Sequence, residues 1–182
     1  MRINLETALI ENVKYTASPN SDARPENTDI NLIVIHSISL PPGEYGGPWI
    51  EQFFCNKLDV QHNPYFQEIC ELTVSAHILI CRDGTLQQFV PFNKRAWHAG
   101  QSCYEGQQAC NDFSIGIELE GTDDSDFEDI QYQQLAELIL ALEQTYPKIT
   151  RQRLAGHSDI APGRKTDPGT GFDWDKLNRL LA

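Results

Sequence analysis

Residues 74–90 read VSAHILICRDGTLQQFV. Val74, Ala76, Ile78 and Ile80 alternate with Ser75, His77 and Leu79, which is the period of a strand. Asp83-Gly84 follows, a favoured two-residue turn, and Thr85–Val90 returns as the partner strand. The segment predicts a hairpin, so the sheet that contains it mixes strand directions and is not a regular doubly wound one.

Outward from the hairpin, strands and helices alternate irregularly. Asn31–Ile35 (NLIVI) is an apolar, β-branched run that predicts a buried central strand ending at His36. Phe113–Glu120 (FSIGIELE) predicts another strand, with Ile115, Ile117 and Leu119 on one face and Ser114, Gly116, Glu118 and Glu120 on the other. Gln131–Tyr146 carries Leu135, Leu138, Ile139 and Leu142 at helical spacing, and Pro147 stops it. Asp173 predicts the cap of a last short helix with Trp174, Leu177 and Leu180 inward. Residues 39–48 (SLPPGEYGGP) are loop, with Pro48 opening a helix through Trp49, Phe53 and Phe54. Residues 16–29 (TASPNSDARPENTD) predict a polar surface lead-in. The expected fold is α/β: one domain over 1–182, a mixed central β-sheet flanked by helices, without repeats or an internal linker.

A chain of 182 residues can bury one sizeable core. Its net charge of -12 excludes a nucleic-acid binder, which needs clustered Lys and Arg, and argues against adhesion to anionic membranes or wall polymers. No apolar run approaches the roughly 20 residues that span a bilayer, and residues 1–20 lack the apolar region of a secretory signal. The five cysteines form no CxxC pair and are odd in number, so neither a disulfide framework nor a zinc knuckle is expected. Free thiols fit a reducing compartment, and the cytoplasm is the expected location.

Three segments could carry chemistry. His36 ends a buried strand and leads into a Gly/Pro loop, where α/β sheets place functional groups; a hydrogen-bonded structural histidine is equally compatible. Residues 156–169 (GHSDIAPGRKTDPG) supply an imidazole, carboxylates and an ammonium, and two histidines with a carboxylate form one common catalytic zinc set. His157 and Asp167 lie ten positions apart, so only a looping segment could join them; a surface loop with capping aspartates is the alternative. On FSIGIELE, a carboxylate could serve as general base, but alternation does not choose between Glu118 and Glu120. His77 reads as structural, His62 as a surface residue, and Trp97-His98 as a loop after the hairpin.

In order, residues 34–50 (VIHSISLPPGEYGGPWI), 63–66 (NPYF), 74–100, 110–123 (CNDFSIGIELEGTD) and 156–169 resemble the AmpD family. These are cytoplasmic 1,6-anhydro-N-acetylmuramyl-L-alanine amidases, within the wider zinc amidases that include peptidoglycan recognition proteins. The resemblance spans about residues 16–175. It implies one zinc ion on His36, His157 and Asp167, Glu118 as general base, Lys165 steadying the transition state, and Tyr65 and Trp97 at the substrate. It implies hydrolysis of the amide between (anhydro-)N-acetylmuramic acid and L-alanine in cell-wall recycling, with an indirect effect on β-lactamase induction. The expected partner is that small muropeptide, with no obligate protein partner. Amidase action on intact peptidoglycan and a non-catalytic muropeptide-binding module are the rival functions. Three positions depart from the family pattern: Ser37 replaces an Asn, and Thr73 and Ala109 stand where arginines grip the stem peptide.

Overall fold

A computed structural model describes residues Met1–Ala182. Its main sheet has six strands: β1 (Lys14–Tyr15), β2 (Leu32–Ile38), β3 (Ile78–Ile80), β4 (Leu86–Gln88), β5 (Ser114–Glu120) and β6 (Leu154–Gly156). They lie in the order β6-β2-β5-β3-β4-β1. β6, β2, β5 and β3 run parallel, β4 is antiparallel to β3, and β1 is parallel to β4, so the sheet is mixed. Five helices accompany it: α1 (Trp49–Phe54), α2 (Pro64–Ile69), α3 (Asp129–Thr145), α4 (His157–Ile160) and α5 (Trp174–Leu181).

Both faces of the sheet are covered, which is why residues 32–35 (LIVI) are apolar throughout. Ile33 and Ile35 pack with Ile115, Ile117 and Leu119 beneath α3 and α5. Leu32 and Val34 face the other way, toward Phe113, Ala155 and Ile160. A third cluster joins α1 and α2 to Leu79 and Phe89. The start of α3 is tied to two strand ends, because buried Gln131 donates to the carbonyls of Ile80 and Glu120, both at 3.1 Å.

The structure corrects the hairpin in two respects. Its loop has three residues, Arg82–Gly84: Cys81 N–H reaches the Thr85 carbonyl and Gly84 N–H the Cys81 carbonyl, both at 2.9 Å. Gly84 takes φ +82 while Asp83 stays at negative φ, so neither favoured two-residue turn on Asp83-Gly84 forms, since both need positive φ at the first centre. Strand pairing also begins only at Ile78. Ala76 then joins Leu79 in the α1/α2 cluster while Ile78 and Ile80 face α3, which splits the face expected from alternation. Ser75 and His77 are as buried as their apolar neighbours because their polar atoms are satisfied inside. Ser75 Oγ donates to the Asn20 carbonyl, and His77 Nδ1 accepts Gly116 N–H.

Two smaller corrections have equally local causes. In α5, Leu181 is buried and Leu180 is 44% exposed, since Trp174, Leu177 and Leu181 have the i, i+3, i+7 spacing. The polar segment 16–29 is not all surface. Ser18 and Asn20 are buried, and the Arg24 guanidinium donates to the carbonyls of Phe92, Asn111, Asp112 and Ser114. Burial pushes Arg24 down to about 10, so it stays charged at neutral pH. Arg24→Met leaves those acceptors without their donor and is expected to cost about 3 kcal/mol or more of folding free energy, read from urea denaturation midpoints; a loss below about 0.5 kcal/mol would show that the clamp is dispensable.

All five cysteines are free, and no helix is long and apolar enough to cross a membrane.

Candidate metal centre

β2, β5 and β6 end side by side because they run parallel, and register sets what meets there. Glu118 pairs with His36, and Gly156 pairs with Ile35, so the next residue, His157, comes up beside His36. His157 opens α4, after which the chain turns on Ala161, whose carbonyl accepts from Arg164 and Lys165 N–H at 3.1 Å. Ser158 N–H then bonds the Asp167 carbonyl at 2.9 Å, closing the ten-residue loop that sequence spacing alone left open.

The result is a triangle of three ligand atoms. His36 Nδ1, His157 Nδ1 and Asp167 Oδ2 are each 3.0 Å from the other two. Both histidines are buried and Asp167 is half-buried. A neutral imidazole has one N–H. His157 Nε2 lies 3.1 Å from the Ala99 carbonyl, which only an N–H can satisfy, so in the neutral ring Nδ1 presents a lone pair to Asp167 and His36. Lone pairs converging at 3.0 Å repel unless a cation lies among them, and tetrahedral bonds of about 2.0–2.1 Å set ligand atoms roughly 3.3 Å apart, a little wider than this triangle. The donor set therefore fits a metal ion. Burial first, and then the neighbouring His157, pushes His36 down to about 4 against the opposing Asp167, so the ring is neutral at pH 7 and able to ligate. Burial works to raise the Asp167 carboxyl, but the His157 and His36 rings beside it outweigh burial and hold the group below the usual carboxylate range.

Asp123 braces the ligands from outside. Its Oδ1 accepts from Ser37, which follows His36, at 2.9 Å, and its Oδ2 accepts from Thr166, which precedes Asp167, at 2.5 Å. A Cβ on Gly169 would lie 2.1 Å from the Asp123 carbonyl oxygen, so this approach requires glycine.

The triangle forms the floor of a cleft of about 700 Å³. Glu118, Lys165 and Tyr65 line it, with Leu40, Phe53, Ile69 and Val74 as an apolar wall. The geometry separates the two carboxylates of FSIGIELE. Glu120 accepts N–H bonds from Gly46 at 2.6 Å and Arg82 at 3.1 Å and so holds the 39–48 loop. Glu118 Oε2 is buried with no hydrogen-bond partner. Burial first, and then the charge of Asp167, pushes its carboxyl well above the usual range, with Lys165 opposing. Lys165 is exposed and makes no ion pair.

Trp97 is not brought to the cleft. It is half-buried and outside the lining; its N–H donates to Ser75 Oγ at 3.1 Å and its carbonyl accepts from Ser75 N–H at 3.1 Å. Thr73 and Ala109 are exposed and also lie outside the lining, although Leu72 and Val74 on either side of Thr73 contribute to it. His77 is structural, pushed down to about 3 by burial and then by Arg24. His98 was missed as a member of this site: it is buried, with Nδ1 2.9 Å from His36 Nε2 and Nε2 3.1 Å from Ser114 Oγ. The available signal was Gly116, a glycine inside a strand, where close approach is expected. A Cβ there would stand 2.4 Å from the His98 ring.

Residues 26–170 match the family model described as N-acetylmuramoyl-L-alanine amidase. The chain is 53% identical over 178 residues to the 1,6-anhydro-N-acetylmuramyl-L-alanine amidase AmpD of Escherichia coli (strain K12), covering 98% of this chain and 97% of that one. It superposes on a crystal structure of a selenomethionine AmpD derivative with a TM-score of 0.96 at 50% identity, covering all of both chains. It is also similar to the amidase AmiD from E. coli, solved in complex with the substrate anhydro-N-acetylmuramic acid-L-Ala-D-γ-Glu-L-Lys. There the TM-score is 0.60 at 30% identity, over 86% of this chain and 60% of that one.

Proposed function

The chain belongs to the N-acetylmuramoyl-L-alanine amidase family, and from that premise we propose that it uses one zinc ion on His36, His157 and Asp167 to split anhydro-muropeptides. The bond cut joins the lactyl carbonyl of 1,6-anhydro-N-acetylmuramic acid to the L-alanine nitrogen, and the setting is cell-wall recycling in the cytoplasm. The observation that carries the reading is the convergence of three ligand lone pairs beside an unpartnered Glu118 carboxylate in one cleft.

Zinc there supplies Lewis acidity, lowering the pKa of a water and polarising the scissile carbonyl. Glu118 takes the proton from the attacking water as its oxygen bonds to the carbonyl carbon. It returns that proton to the alanine nitrogen as the C–N bond breaks, and the remaining acid proton passes to the amine, so the products leave as a carboxylate and an ammonium. Lys165, exposed at the cleft and free of ion pairs, places its ammonium against the charge that develops on the carbonyl oxygen. Tyr65 and the apolar wall hold the substrate. Trp97 lies outside the lining of this cleft but is hydrogen-bonded to Ser75 and adjacent in sequence to His98, both within it.

Incubation with an anhydro-muropeptide, followed by mass spectrometry, is expected to yield anhydro-N-acetylmuramic acid and the intact stem peptide. A chelator is expected to abolish turnover and added zinc to restore it. Undiminished turnover by metal-free protein would refute the metal assignment. Faster release from purified sacculi would move the substrate to intact wall, and tight binding without cleavage would make the protein a binding module.

A further inference from the structure

We propose that the His98-Ala99 dipeptide is a single positioning element for both histidine ligands, and that His98 is the side chain through which it sets metal affinity. The inference rests on the ligand set assigned above.

Three observations carry it. First, His36 and His157 each turn their second ring nitrogen to this dipeptide: His36 Nε2 lies 2.9 Å from His98 Nδ1, and His157 Nε2 lies 3.1 Å from the Ala99 carbonyl. With a metal on Nδ1 of both ligands, both Nε2 atoms carry the proton and donate. His98 Nδ1 then accepts, and His98 Nε2–H donates to Ser114 Oγ at 3.1 Å. Second, the dipeptide is itself fixed, since Asn111 Oδ1 accepts the N–H of His98 at 3.1 Å and of Ala99 at 2.8 Å. Third, the central strand leaves space for the ring, because any Cβ at Gly116 would come within 2.6 Å of His98 ring atoms. A hydrogen bond to the far nitrogen of a ligating histidine fixes its tautomer and orientation, and losing one costs about 10–100-fold in metal affinity. Here the acceptor for His36 is a neutral imidazole rather than the carboxylate or carbonyl usually found.

Zinc dissociation constants, measured by competition with a chromophoric chelator, test this. His98→Leu is expected to bind zinc about 10–100-fold more weakly than wild type, and the visible spectrum of the cobalt-loaded protein is expected to change. His98→Gln, whose amide can accept from His36 and donate to Ser114, is expected to recover most of the affinity. Circular dichroism of the metal-free proteins verifies that each is folded. A folded His98→Leu within twofold of wild type overturns the proposal, as does a Gln variant that binds no better than Leu. Should His98→Leu not fold, Ser114→Ala removes only the acceptor of His98 Nε2–H. A severalfold weakening then supports the proposal and unchanged affinity overturns it. Failure of wild type itself to bind zinc would instead bring down the ligand assignment.

Discussion

Glu118→Gln is expected to lower kcat by about 10²–10⁴-fold, the range that a positioned general base contributes. KM and zinc affinity are expected to stay near wild type, because Glu118 is not among the three converging ligand atoms. The same substitution is expected to stabilise the metal-free protein at neutral pH. Glu118 Oε2 is buried without a partner, and its carboxyl is pushed well above 4.5, first by burial and then by Asp167. The folded state therefore holds this proton to higher pH than the unfolded chain does. Stability is present below the unfolded pKa and is lost as pH rises through the folded one. Glutamine has no charge to desolvate and avoids that loss. Steady-state kinetics and denaturation from pH 4 to 8 provide the measurements. A variant that keeps more than a tenth of wild-type kcat would remove Glu118 from the proton-transfer role.

Asp167→Ala is expected to weaken zinc binding by more than the roughly 100-fold that bounds the loss of a ligand's outer partner, and to abolish turnover at limiting zinc. A protein with zinc at 100 times its dissociation constant gains about 2.7 kcal/mol from binding. Wild type should therefore melt at clearly higher temperature with zinc than without, and the variant should not. Scanning calorimetry with and without zinc separates this from misfolding, since a folded Asp167→Ala protein still shows a cooperative transition. An undiminished zinc-induced shift in the variant would exclude Asp167 as a ligand.

Much of the scaffold was legible because its elements are periodic. The α3 stripe from Leu135 to Leu142 and the two faces of FSIGIELE appear in the structure as read. His77 is structural as read, buried with Ser75 in a sheet covered on both sides. Turn length and the inward leucine of α5 depend on one-residue differences that local composition does not resolve.

The sequence by itself determined the class of fold, the strand that carries His36, and, through ordered blocks of residues, a resemblance that pointed to His36, His157, Asp167 and Glu118. Each of those depends on local pattern, or on residue types written along the chain. Tertiary structure decided everything that needed distance. Parallel register set Glu118 beside His36, the Ser158–Asp167 bond closed the ligand triangle, and backbone N–H groups engaged Glu120 while leaving Glu118 unpartnered. It also brought His98 to His36 across 62 positions of chain. Such contacts arise from how strands pair and helices pack, and side chains that meet only there leave no periodic trace in the order of residues.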